Sequence, residues 1–175
     1  MPYETAIQSW HDFYIVAGTA AATLVGLLFV GLSLHLRVVV TRSDVRSLGR
    51  VTLANYALVL FVALITIIPQ RRDGASVQII GAGIFTAVVS IRSLIGAIRT
   101  AERTLRLRQL MLRFGLSELS YAGIITAGAL LAAGTYDAAV TWLATLTIVL
   151  LVLSLRNSWD LLVTVATATH EHPTA

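Results

Sequence analysis

Five side chains able to carry charge or a hydrogen bond interrupt runs that are otherwise apolar: Asn55, Arg92, Glu118, Arg156 and Asp160. A carboxylate in such a run can take up a proton or hold a small cation, and a nearby guanidinium can neutralise it instead. Arg92 follows an apolar run that begins at Val77, and Glu118 follows Gly115-Leu116-Ser117. Which chemistry these residues can do depends on the elements that carry them and on whether those elements bring them to one depth.

The elements are membrane helices by composition. Of 175 residues 57% are hydrophobic and 13% charged, and the mean hydropathy is +0.81. Soluble domains are about one quarter charged. A span needs about 20 apolar residues, so this length holds four or five spans and no separate soluble catalytic domain. The expectation is a single membrane domain, 1–175. Its fold class is all-α, a bundle of five transmembrane helices at about 13–36, 51–69, 76–98, 116–134 and 138–160. Basic segments at 37–50 and 99–114 separate them. Pro69 suits the exit of the second span and Gly134 the close of the fourth. The first 14 residues hold Glu4 and Asp12 but no basic residue. The run that follows is long enough to span, so it reads as a retained helix rather than a cleaved signal.

The basic residues set the orientation. All 13 are arginines, and eleven fall at one end of the helices: Arg37, Arg42, Arg46, Arg50, Arg92, Arg99, Arg103, Arg106, Arg108, Arg113 and Arg156. Arg71 and Arg72 are at the other. The positive-inside rule then places the N-terminus outside and the C-terminus inside, in agreement with an odd number of spans. Trp10 and Trp142 fall near the outer boundary and Trp159 near the inner one, as an aromatic belt requires.

On this frame Asn55, Arg92, Glu118, Arg156 and Asp160 gather in one inner-leaflet layer, with His35 closing the first span. A carboxylate there is costly unless paired, and Arg92 is the nearest partner for Glu118 by depth. One reading is a clamp that fixes helix register, and Arg92 alone can also snorkel to the headgroups. The other is a polar pathway with Glu118 as its titrating or cation-attracting group.

Arg92, Arg99, Arg103, Arg106 and Arg113 are spaced 7, 4, 3 and 7 apart and share one helical stripe. The third helix is therefore expected to continue past the membrane until Gly115 turns the chain back. Arg99, Arg103, Arg106 and Arg113 are candidates to contact anionic lipid headgroups or an acidic partner. Nucleic acid is not expected, because no aromatics are interleaved with the stripe. Helix packing is expected at Gly18, Ala22 and Gly26 on the first span and at Gly123 and Ala127 on the fourth. These two helices are candidates for a close pair or a subunit interface.

Several chemistries are excluded. Without lysine there is no Schiff base, and without cysteine no thiolate, disulfide or Cys-bound metal. No nucleotide-binding loop, GxSxG or HExxH occurs. His170-Glu171-His172 reads as a solvated tail. No catalytic residue, metal site or cofactor is expected, and the chain is read as a non-enzyme.

Trp10, Phe13-Tyr14, Gly18 and the run Gly26 to Val30, together with the segment RNSWDLL at 156–162, resemble a group of small bacterial integral membrane proteins that have no assigned activity. The resemblance implies a multi-pass protein of a bacterial plasma membrane. The functional expectation is an oligomeric, channel-like or transport-related protein with a polar inner layer. The alternative is an accessory or scaffold protein that binds anionic lipid or a protein partner through its arginine-rich face.

Overall fold

A computed structural model of the chain describes residues 2–41, 43–100 and 107–170, and among them the regular structure is helical throughout. Seven helices follow in order: α1 (Tyr3–Gln8), α2 (His11–Ser33), α3 (Leu36–Thr41), α4 (Ser43–Ile67), α5 (Arg72–Thr100), α6 (Leu107–Ala132) and α7 (Tyr136–His170). Five of them, α2 and α4 to α7, are long and apolar enough to cross a membrane, the architecture of a multi-pass membrane protein. Helix is the form that lets such segments satisfy every backbone N–H and C=O from within.

The stops obey local chemistry. α4 ends at Ile67, two residues before Pro69, which disfavours helical geometry in the residue it follows. α6 ends in a left-handed cap at Gly134, φ +88°. The Gly134 amide donates to the Leu131 carbonyl at 3.2 Å and the Thr135 amide to Leu130 at 3.1 Å, which satisfies the last carbonyls of the helix.

Four helices form a ring in which α4 neighbours α5, α5 neighbours α6, α6 neighbours α7, and α7 returns to α4. α2 lies outside the ring across α4 and α7. Burial ranks them accordingly: 56% of the α4 span is buried against 22% of the α2 span. α4 is the central helix. The outer faces carry Val16, Leu27, Phe85, Leu119 and Val152, each more than half exposed, as a lipid-facing surface requires and a water-facing one does not. On α7 the exposed Trp142 and Trp159 are about 26 Å apart along the axis, close to the thickness of a hydrocarbon core.

The end bearing the α4–α5 and α6–α7 connections, the hairpin end, is tied shut. Tyr3 of α1 meets Tyr136 edge-on at 5.7 Å, and its hydroxyl pKa is pushed up by burial. The Arg72 guanidinium donates to the Tyr136 hydroxyl at 2.8 Å and to Asp73 at 3.1 Å. Beneath them Ile7, Ile65, Ile79, Leu131 and Leu143 fill the bundle around a void of about 10 Å³, which is too little for more than a single water.

Several helices outrun the apolar segments that foretold them. α4 starts at Ser43, ahead of the apolar span expected from 51 and where Ser43 suits an N-cap, and so takes in Arg46 and Arg50; α6 starts at Leu107 rather than 116. Gly115 therefore lies inside a helix and does not turn the chain; an interior glycine costs about 1 kcal/mol relative to alanine, too little to stop a helix by itself. α7 continues past 160 to His170 because Leu161 and Leu162 pack over Gly49 of α4 and Gly31 of α2. The first span ends at Ser33 rather than 36, with His35 between α2 and α3, its Nδ1 3.3 Å from the Gly31 carbonyl.

The expected close pair of first and fourth spans is replaced by other seams. The buried stripe of α2 is Tyr14, Ala17, Gly18, Ala21 and Leu28. Gly18 faces α4, where a methyl in place of its hydrogen would stand 3.1 Å from the Ala63 Cβ. Ala22 is exposed and Gly26 meets nothing, because both lie on the flank of that stripe. On α6, Gly123 faces Leu146 of α7 and Ala127 is buried against the hairpin-end plug. The α5–α6 seam interlocks reciprocally: Ile80 sits over Gly128, and Ile125 sits over Gly83. A Cβ added at either glycine would approach the opposing Cγ1 to 2.7 Å. Gly128→Ala should therefore destabilise the bundle by about 1–3 kcal/mol. Ile80→Ala in the same chain should recover part of that loss, read as positive coupling in a double-mutant cycle of unfolding in mixed micelles.

Candidate functional site

Most hydroxyls within the spans are settled by their own helix. Thr52, Thr66, Thr86, Ser93, Ser120 and Thr147 each donate to the carbonyl four residues earlier. Against that background one group of side chains behaves differently, in the half of the bundle away from the plug.

Asn55 and Tyr56 are consecutive on α4, so they point about 100° apart and serve two seams. Asn55, fully buried, accepts a hydrogen bond at Oδ1 from the Tyr121 hydroxyl of α6. Tyr56, also fully buried, places its hydroxyl 3.2 Å from the Ser158 Oγ of α7. Ser90 of α5 and Ser117 of α6 lie beside the Tyr121 hydroxyl, and Glu118, three residues before Tyr121, faces it as well. α4, α5 and α6 thus bring an amide, a phenol, two serines and a carboxyl group to one place.

The group is incompletely satisfied. Among the described residues Asn55 Nδ2, Ser90 Oγ and Glu118 Oε1 are buried without a hydrogen-bond partner, as are Ser154 Oγ, one turn before Ser158 on α7, and, away from this group, the Tyr14 hydroxyl of α2. A buried polar atom left unpaired costs about 1–3 kcal/mol, and a carboxylate costs more. Asn55 lies about 15 Å along α4 from Ile65 of the plug, so the polar layer and the apolar closure are distinct levels of one bundle.

The structure redraws the layer expected from the sequence. Asn55 and Glu118 belong to it. Arg92 does not pair with Glu118: Ser90 points inward and Arg92, two residues on, is exposed, with no ion pair to a described residue. A guanidinium on that face reaches the headgroup level by snorkelling. Arg156 is exposed and, although it stands four residues from Asp160, does not pair with it. An ion pair joins Arg72 to Asp73 at the opposite end of the bundle. Arg103 and Arg106 lie outside the described residues, as do the side chains of Arg99, Arg108 and Arg113.

Tyr121, Ser90, Ser117 and Ser154 were not singled out by sequence. The available signal was spacing: Ser117 and Tyr121 are four apart and Glu118 and Tyr121 three apart, so all three share a face of one helix. Comparison of the chain with protein-family models, curated proteins and solved structures gives no match.

Tyr121→Phe removes the donor and strands the Asn55 amide. It should cost about 1–3 kcal/mol in unfolding from mixed micelles. Asn55→Leu added to Tyr121→Phe should regain part of that cost, because removing both partners is milder than removing one. Wild-type stability in Tyr121→Phe would show that the bond contributes nothing.

Proposed function

We propose that the chain is a non-enzymatic, transport-related membrane protein in which Glu118 takes up a proton or a small cation within the polar layer. One observation carries the reading: the Glu118 Oε1 is buried, without a partner, beside the Asn55–Tyr121 pair. An ionisable group in that position is expensive to keep and is usually there for function. Asn55 and Tyr121 supply one oxygen each at the same level, suited to a partly dehydrated cation or to a proton-carrying water. The apolar plug around Ile65 and Leu131 closes the bundle at the hairpin end, which favours a route between subunits of an oligomer over one through a single chain.

The arginine bias supports the orientation: N-terminus outside, hairpin end outside, polar layer near the cytoplasmic face of a bacterial plasma membrane. The chain has no cysteine, so single substitutions report topology without background. In intact cells Gln70→Cys should react with a membrane-impermeant maleimide, and Arg99→Cys should react only after permeabilisation. The reverse pattern would invert the assignment.

The transport reading is tested by flux of protons and of monovalent cations through purified protein in liposomes. Wild type should conduct, Glu118→Gln should lose at least tenfold of that flux at equal incorporation, about 1.4 kcal/mol in the barrier, and Glu118→Asp should retain part of it. Undiminished flux in Glu118→Gln would remove the carboxyl group from the pathway. No flux in wild type would leave the accessory role as the better reading, with the arginine-rich face as its working surface.

A further inference from the structure

Near the arginine-rich end a second feature stands apart from the polar layer. A trough of about 170 Å³ runs between α2, α3 and α4. Its walls are Leu28, Phe29 and Leu32 of α2, Val39 of α3 and Leu53 of α4, and Gly49 lies at its floor. Arg46 and Arg50 of α4 also line it. Both arginines are exposed, and among the described residues neither has an ion-pair or hydrogen-bond partner.

Two features of this arrangement ask for an anion. The arginines are one helical turn apart, so their Cβ atoms are about 5–6 Å from each other and two guanidinium forks can converge on a single phosphate. Arg46 also stands in the first turn of α4, where the helix dipole favours an anion over a cation. Between Arg37 and Arg50 the sequence offers four arginines and one acidic residue, Asp44, so the charge is not balanced along the chain. The apolar walls ask for something else: a hydrocarbon chain continuous with the anion. A free phosphate would use the arginines and leave Leu28, Leu32 and Leu53 without purpose.

We propose that this trough is a binding site for one anionic phospholipid of the adjoining leaflet. The headgroup phosphate bridges Arg46 and Arg50, and an acyl chain lies along α2 against Leu28, Leu32 and Leu53. The site is independent of Glu118 and does not require that the protein transport anything.

The test is native mass spectrometry of the full chain, purified in detergent, titrated with phosphatidylglycerol or with phosphatidylcholine of identical acyl chains. Wild type should retain one phosphatidylglycerol in preference to phosphatidylcholine. Arg46→Gln with Arg50→Gln should lower the affinity for phosphatidylglycerol roughly thirtyfold, the scale two arginines command beside an anionic leaflet. Arg92→Gln, which removes an exposed arginine away from the trough, should leave it unchanged. Leu53→Trp fills the trough without altering charge and should weaken retention as well; each variant is compared after eluting as wild type in size exclusion. Equal retention of both lipids, or an equal loss in Arg92→Gln, would overturn the proposal in favour of diffuse attraction. Full retention in Leu53→Trp, with displacement by glycerol phosphate, would overturn it in favour of a bare phosphate site.

Discussion

Hydrocarbon offers no hydrogen bonds, so each polar atom within a span must find its partner inside the protein or remain unpaired at a cost. The rest of this structure follows from that constraint. It makes every span a helix, turns the hydroxyls of Thr52, Thr86 and Thr147 back on their own carbonyls, and leaves leucine, valine and phenylalanine on the outside. It also gives meaning to the exceptions. Three of the five buried atoms without partners among the described residues belong to Asn55, Ser90 and Glu118, and these three are gathered around a single tyrosine hydroxyl.

Where hydrogen bonds are scarce and lipid is as apolar as leucine, close packing has to hold the helices together. Glycine provides the closeness here, with bulky side chains set into the gaps. Gly18 admits α4, Gly123 admits Leu146, and Gly31 and Gly49 admit the far end of α7. The last pair explains why α7 is 35 residues long: its extension is not a tail beyond the membrane domain but a strut laid across α2 and α4.

The number and kind of long helices were legible in the sequence because the apolar runs are long and the punctuation at Pro69 and Gly134 is strong. At the arginine-rich end Ser43 marked the start of α4, but the start of α6 was not legible, since arginine is a good helix former and extends a helix beyond its apolar run. Depth was legible and facing was not. Counting residues put Arg92 and Glu118 at one level, but a level is a ring, and Arg92 points out of it while Ser90 points in. The small-residue ridge on α2 failed for the same reason: residues 17–23 are small on every side, so the sequence contains no vote on which flank is buried. Nothing in the sequence marks a lone tyrosine within a span as a buried donor, yet the Tyr121 hydroxyl is the hub of the polar layer.

The reciprocal lock between α5 and α6 has a consequence for how this molecule can change shape. Ile80 enters α6 and Ile125 enters α5, so neither helix can slide along the other without both isoleucines climbing out of their notches. The two helices must travel as one block. Ser90, Ser117, Glu118 and Tyr121 all ride on that block, while Asn55 rides on α4. The polar layer therefore has a built-in fault line, crossed within the layer by the Tyr121–Asn55 hydrogen bond and beyond it by the bond from the Ser47 hydroxyl to the Ser93 carbonyl.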